Sequence, residues 1–179
     1  MHVSVLGNDN KVMQHWWISR DKGLVIWEPS SEQNRDPEIY DLKRGQVTTI
    51  PRGSAPLEYR DLDRSERKAV ERSMRSHLEL SLLDSAPRDA EMTRRPEDSG
   101  TDHTELDVYE LTWEVPSGMG TSATRKLTVY IDPVTKLPKR WEFSSWLPRL
   151  NEWHVQKVLY EYPDDDQIEA HRQELLAGR

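Results

Sequence analysis

Hydrophobic and polar residues alternate along most of the chain, in short runs that turn residues separate. The first three runs are HVSVL (2–6), KVMQHWWIS (11–19) and LVIWEP (24–29). Runs of β-branched and aromatic residues between Gly, Asn and Asp clusters predict antiparallel strands joined by hairpins. We expect an α+β fold with about eight or nine strands in meander order, in which a curved antiparallel β-sheet, a half-barrel, packs on one or two helices.

Two segments have a helical pattern instead. Asp63 and Glu66 have the spacing of a capping box, with Asp in place of Ser or Thr, and predict a helix over about 64–83. Acidic residues begin a second segment, which predicts a short C-terminal helix over about 165–177. The expected apolar positions of the two helices are Val70, Met74, Leu78, Leu82, Ile168, Leu175 and Leu176.

The length of 179 residues fits a single domain, 1–179, with a real core. Residues 86–105 combine Pro and Gly with many charged side chains and offer almost nothing to bury. This composition predicts a mobile loop, because such a segment cannot offset its own ordering entropy. A loop of this length is either functional or merely tolerated.

The net charge of −7 argues against nucleic acid as a partner, since an acidic surface repels a phosphate backbone. The chain has no Cys, which excludes disulfides and thiolate metal sites but leaves the compartment open. No apolar run approaches the roughly 20 residues of a membrane span, and the first ten residues lack the pattern of a secretory signal. We therefore expect a protein that does not span a membrane, with an unknown location.

Asp132 lies between two predicted strands, in the segment LTVYIDPVTKLPKRWEF (127–143), and its carboxylate is either reactive or part of the turn. Pro133 fixes φ for a turn, and an Asp before it can accept hydrogen bonds from backbone N–H groups near Thr135. A catalytic Asp would need a second carboxylate, a His or a metal nearby, and no recognisable spacing supplies one. The pattern therefore predicts a structural turn residue.

Metal-ligating residue types form one tight cluster in the sequence, Asp102, His103 and Glu105, inside the predicted loop. Short clusters of this kind arise often by chance, and no phosphate-binding or nucleophile motif accompanies this one. We predict that the protein is not an enzyme and holds neither a metal nor a cofactor.

Aromatic residues carry the strongest binding signal, with seven Trp and six Tyr against one Phe. Trp16 and Trp17 are adjacent in one strand and face opposite sides, so one of them points outward or toward a cavity. Rings with an N–H or O–H suit a groove that is partly exposed to water, although packing at the edge of an ordinary core explains them too. The residues that we expect to line a groove are Trp16, Trp17, Trp27, Trp113, Trp141, Trp146, Leu147 and Leu150.

Three segments of the chain resemble elements of one known protein superfamily. They are the strand, turn and returning strand around Asp132, IYDLKRGQVTTIP (39–51) and YEYPDDD (160–166). The turn motif consists of Tyr130, Ile131, Asp132, Pro133, Thr135, Leu137, Pro138, Arg140 and Glu142. Together these segments resemble the lipoprotein-sorting carrier superfamily, the LolA/LolB-like and RseB-like half-barrels of bacteria. In that resemblance the turn residues are structural.

The resemblance implies a non-enzymatic binding domain whose hollow face holds an apolar ligand, a lipid or acyl chain, or senses it for a partner. It also implies one of two alternatives: an extracytoplasmic protein that is truncated at its N-terminus, or a domain that has lost its export route. The partners expected on this basis are an apolar ligand or a lipoprotein, and a possible protein partner. The alternative is a protein–protein interaction or regulatory domain without a cavity.

Overall fold

The computed structural model describes residues 1–53, 55–78, 86–87, 90, 92–95, 106–117, 121–147 and 151–177. Eleven strands follow the hydrogen-bonded order β6-β5-β4-β3-β2-β1-β11-β10-β9-β8-β7 in an antiparallel sheet, and two helices complete the described elements. The strands are β1 His2–Leu6, β2 Val12–Ser19, β3 Leu24–Pro29, β4 Glu38–Asp41, β5 Gln46–Thr49, β6 Glu58–Asp61, β7 Thr93–Arg95, β8 Asp107–Ser117, β9 Thr121–Ile131, β10 Pro138–Leu147 and β11 Glu152–Glu161. The helices are α1 Arg64–Leu78 and α2 Asp165–Ala177.

The α+β class and the antiparallel sheet are confirmed, but the expected number of strands was too low. The two additional strands are β6 and β7, which are only four and three residues long. All four residues of β6 are exposed, and β7 has the sequence TRR. Neither strand buries an apolar side, so neither shows the alternation by which a strand is recognised in sequence.

Contacts divide the chain into two compact units. The first unit comprises Met1–Ser4, Val12–Leu83 and Glu161–Arg179, and the second comprises Val5–Lys11 and Asp84–Tyr160.

In the first unit, both faces of the β2–β3 pair are covered. Trp16 pairs with Trp27 and Trp17 with Ile26, so neighbouring residues on each strand point to opposite faces. One face packs Ile18, Val25 and Leu42 against Val70 of α1, and the other packs Leu24, Ile26, Ile39 and Ile50 against Ile168 of α2. Because both faces are covered, β3 has the sequence LVIWEP, in which apolar residues follow one another instead of alternating with polar ones.

Helix α1 begins where the capping box predicts. The Glu66 N–H donates to Asp63 Oδ1 at 2.8 Å, and the Asp63 N–H donates to Glu66 Oε2 at 3.2 Å. Val70 and Met74 form the predicted stripe against the core. The described helix ends at Leu78, and the predicted continuation to residue 83 lies outside the described residues.

Helix α2 has the predicted bounds. The side chains of Asp164 and Gln167 cap it reciprocally, because the Gln167 N–H donates to Asp164 Oδ1 and the Asp164 N–H donates to Gln167 Oε1. Ile168 is fully buried, and Leu175 and Leu176 pack against the same core as Trp17. The weak apolar face seen in the sequence is therefore the face that contacts the sheet.

The second unit contains the long antiparallel strands β8 to β11. Leu127 pairs with Leu111 and Phe143, and Val129 with Trp141, which places these side chains on one face as the alternation predicts. The opposite face, here called the polar face, carries pairs of opposite charge such as Lys126 Nζ and Glu110 Oε2, 2.5 Å apart.

The loop predicted at 86–105 is interrupted by a strand. Arg94 of β7 pairs with Tyr109 of β8, and its guanidinium lies 2.5 Å from the Asp107 carboxylate. The prediction of an unstructured loop is wrong at Thr93–Arg95, because a short edge strand is held by backbone pairing and one ion pair rather than by apolar burial. Most of the remaining segment lies outside the described residues.

Candidate functional site

A cleft of about 580 Å³ lies beside α2 in the first unit. We call it the α2 cleft. The helix contributes four lining residues at positions i, i+3, i+4 and i+7, which share one helical face. The described residues that line it are Trp17, Glu161, Tyr162, Pro163, Gln167, Ala170, His171 and Glu174.

Trp17 stands at this cleft between two histidine rings. The centroid of His2 lies 4.0 Å from the Trp17 ring, with an interplanar angle of 19°. His171 stacks on Trp17 at 4.1 Å and 26°. We call these three rings the histidine stack. The stack joins residues from β1, β2 and α2, so a change at one ring is passed to the others by direct contact.

Glu28 anchors the stack from β3. Its Oε1 accepts a hydrogen bond from Trp17 Nε1 at 2.8 Å and lies 2.8 Å from His171 Nε2. Burial alone would raise the pKa of Glu28, but the bonds from His171 and Trp17 reverse that effect and lower the pKa below its ordinary value of 4.5. Glu28 is therefore ionised at neutral pH and holds two rings in place.

His15 connects the stack to a second set of polar groups. Its Nδ1 lies 3.0 Å from His2 Nε2 and 3.0 Å from Ser4 Oγ, and the His2 Nδ1 lies 2.6 Å from Glu161 Oε2. Burial, followed by the neighbouring His2, lowers the pKa of His15 below 6.5. His15 is therefore neutral at neutral pH.

This network can exchange protons and form hydrogen bonds, but it does not have the geometry of a metal site. Among the residues that the structure describes, no three His, Asp or Glu side chains are arranged to hold a metal ion. The cluster Asp102, His103 and Glu105, weighed as a metal or enzyme site in the sequence, lies outside the described residues.

Three of the predicted groove residues belong to the first unit. Trp17 lines the α2 cleft, as described above. Trp16 points to the α1 face and packs beside Ile18 and Val25. Trp27 is buried, donates to Gln14 Oε1 and lies under the Arg35 guanidinium. Of these three rings, Trp17 is the one that lines the α2 cleft described above.

The other predicted groove residues belong to the second unit. Trp113 and Trp141 are buried, and Trp141 Nε1 donates to Tyr160 Oη at 2.5 Å. Trp146 is half-buried and tilted against Trp153 at 5.6 Å. The Leu147 side chain and Leu150 lie outside the part of the chain that the structure describes.

A smaller cleft of about 380 Å³ lies on the polar face of the second unit. Trp153, which is 41% exposed, forms one wall. The charged groups around it already pair with strand neighbours: Lys126 with Glu110, and Arg140 and Lys157 with Glu142. These pairs engage the charged groups of the polar face within the sheet itself.

Asp132 is a turn residue, as predicted. Its Oδ1 accepts hydrogen bonds from the N–H groups of Val134, at 2.8 Å, and Thr135, at 3.0 Å. These bonds lower the pKa of Asp132. The carboxylate is thereby occupied in holding the backbone of the turn.

Apart from Trp17, the residues of the network around the histidine stack were not predicted from the sequence. His2, His15 and His171 are far apart in the chain, and only the fold brings them together. Two signals were present: His15 and Trp17 share one face of β2, and His171 falls three residues after the buried Ile168 on the same side of α2. Together they place one His beside Trp17 on the same face of β2 and a second His on the side of α2 that carries Ile168.

Comparison with known proteins gives no match for this chain, whether with family models, curated proteins or solved structures. The resemblance to lipoprotein-sorting carriers therefore stays a prediction. None of the described helices is long and apolar enough to cross a membrane.

Proposed function

We propose that the protein is a non-enzymatic binding domain that holds a ligand with an apolar body in the α2 cleft. The observation that carries this proposal is the division of the lining into an apolar part and a polar part. Tyr162, Pro163 and Ala170 supply apolar surface beside Trp17, whereas Glu161, Gln167, His171 and Glu174 supply polar groups.

The size of the cleft supports a small ligand. Its volume of about 580 Å³ falls within the range of about 300–1,000 Å³ that is usual for ligand pockets. Each methylene that leaves water contributes about 0.8 kcal/mol, so a partly buried chain of several methylenes supplies useful affinity. The resemblance to lipoprotein-sorting carriers points the same way, since it implies an acyl chain or lipid.

The charges of the lining favour a particular head group. Glu161 and Glu174 bring two carboxylates, and the lining residues that the structure describes include no Lys or Arg. A cationic or hydrogen-bond-donating head group is attracted to such a lining, whereas an anionic head group is repelled. We therefore propose an amphiphile whose polar end is an amine or a hydroxyl group.

Displacement of a fluorescent apolar probe tests this function. N-phenyl-1-naphthylamine should bind the wild-type protein and be displaced by dodecylamine more readily than by dodecanol, and least by dodecanoate. Ala170→Trp fills the cleft and should abolish the signal. Ala177→Trp makes the same change at an exposed position of α2 outside the lining and should leave the signal intact. Equal signals from the two variants would contradict the proposal.

A protein–protein interaction domain is the second candidate, and β6 is the observation that favours it. This strand is at one end of the sheet order, and its Tyr59 is 70% exposed. An edge strand presents backbone groups to which a strand of another protein can pair. Partner capture that is lost in Tyr59→Pro and retained in Ala170→Trp would favour this candidate over the first.

A further inference from the structure

We propose that protonation of His15 is an acid switch on the α2 cleft. Once both facing nitrogens, His15 Nδ1 and His2 Nε2, carry a proton, the hydrogen bond between the two rings is lost. The histidine stack is thereby loosened, and two of its rings, Trp17 and His171, line the cleft. This inference rests on the proposed function only where it concerns the ligand, since the structural change occurs without one.

The contact between the two histidines depends on a single shared proton. His2 Nε2 and His15 Nδ1 are 3.0 Å apart, a hydrogen-bond distance that requires one nitrogen to donate and the other to accept. If both nitrogens carry a proton, two N–H groups face each other and the bond is lost. A doubly protonated pair also brings two positive charges into direct contact.

The groups around His15 restrain it from several elements. His2 of β1 and His171 of α2 disfavour a positive charge on His15, whereas Glu28 of β3 and Glu161 of β11 favour it. Burial outweighs these charge effects, and the pKa of His15 is lowered in consequence. The neutral form is therefore held in the folded protein until the solution becomes acidic.

The stack gives this event a route to the cleft. The Nδ1 of His2 is held by Glu161 at 2.6 Å, while its ring lies against Trp17 at 4.0 Å. When His15 repels His2, the ring must move relative to Trp17, to Glu161 or to both. Trp17 and Glu161 each line the cleft. Acid therefore changes the cleft wall, and ligand affinity falls as the pH falls.

The sign of the stability change agrees with this direction. In the unfolded chain His15 has its ordinary pKa of about 6.5, and in the folded protein its pKa is lower. Between these two values the unfolded chain binds more protons, so the free energy of unfolding decreases as the pH falls through this range. His15 thus opposes the folded arrangement only in acid.

Two measurements test the switch together. NMR of the imidazole nitrogens and of the Trp17 indole N–H, from about pH 8 to about pH 5, should show His15 titrating below 6.5 and Trp17 shifting with the same midpoint. The affinity for N-phenyl-1-naphthylamine should fall about five-fold or more over the same range, within the usual size of coupling between sites.

The variants separate the switch from ordinary acid effects. His15→Gln keeps hydrogen-bonding groups but cannot become charged, so the Trp17 shift and the loss of probe affinity should both disappear. His2→Gln removes a neighbour that lowers the pKa of His15, so His15 should titrate at higher pH. His154→Gln changes an exposed histidine of the second unit and should behave as wild type.

The outcomes distinguish this inference from the proposed function. A probe that binds at no pH, together with a Trp17 shift that follows His15, would contradict the binding function and leave the switch standing. A probe that binds equally at both ends of the pH range would show that His15 does not control the cleft. A Trp17 resonance that is unchanged while His15 titrates, or a wild-type profile in His15→Gln, would overturn the switch itself.

Discussion

In the first unit the β2–β3 pair carries a helix on each face, whereas in the second unit β8 to β11 present one apolar and one polar face. The polar residues of the first unit that face α2 form a connected network around Trp17 and Glu28. Those of the second unit form separate pairs between neighbouring strands, such as Lys126 with Glu110. Covering a face with a helix thus encloses polar groups in a shared environment, where burial and neighbouring charges alter their pKa values.

The helix cover gives the largest expected difference between the units. Ile168→Ala removes the fully buried side chain by which α2 contacts the sheet. We expect the free energy of unfolding to fall by about 2–5 kcal/mol, as for other large-to-small core substitutions. Chemical denaturation followed by circular dichroism measures this. The exposed Val134→Ala should change stability by less than about 0.5 kcal/mol, and an equal loss in both variants would contradict the assigned role of Ile168.

A buried polar contact lies on the apolar face of the second unit, between Trp141 and Tyr160, and its loss should have the next largest effect. Burial raises the pKa of Tyr160 to about 12, so its hydroxyl remains protonated while the oxygen accepts the Trp141 N–H. Tyr160→Phe leaves that N–H without its acceptor and should cost about 1–3 kcal/mol. Thermal unfolding measures the change. Wild-type stability in this variant would show that Trp141 finds another acceptor.

The network of the first unit predicts that stability depends on acid through Glu28. The pKa of Glu28 is lowered in the folded protein, so its stabilising effect is present above about 4.5 and is lost as the pH falls through the folded value. Glu28→Gln should cost about 1 kcal/mol at neutral pH and flatten the acid limb of the stability profile. Denaturation curves at several pH values test this, with Glu142→Gln of the polar face as the matched control, and an unflattened profile would contradict the assignment.

The smallest effect is expected on the polar face. Lys126→Met removes the ion pair with Glu110, in which the two side chains are 31% and 15% exposed. Such pairs contribute about 0–1 kcal/mol, and added salt weakens them. We expect a decrease of less than about 1 kcal/mol at low salt that shrinks as salt is added. A loss larger than that of Glu28→Gln would remove the contrast drawn between the two units.

Local patterns predicted much of the fold because their causes are local. The capping box of Asp63 and Glu66, the turn at Asp132 and the alternation from Leu127 to Ile131 each depend on residues that are close in the chain. The strands β6 and β7 escaped prediction because backbone pairing, rather than apolar burial, holds them in place. The network around Trp17 escaped because it joins residues from both ends of the chain, and the positions of His15 in β2 and His171 in α2 do not show that these two elements meet.

The predicted groove lining shows the same limit at the level of the site. Trp27, Trp113 and Trp141 are buried, and their spacing along strands alone did not separate core rings from rings at a cleft. Trp17 differs from them because α2 brings His171 and a set of polar side chains to the face of β2 that carries Trp17. That difference depends on where the C-terminal helix docks, which the pattern of β2 does not contain.

Native mass spectrometry of the protein purified from a bacterial host, beside organic extraction of the same sample, tests the central claim most directly. Wild type and Ser144→Trp, which fills the cleft of the polar face, should both carry a bound species of amphiphile mass that extraction removes. Ala170→Trp should carry none. A bound species retained in Ala170→Trp and lost in Ser144→Trp would place the ligand on the other unit and contradict the account.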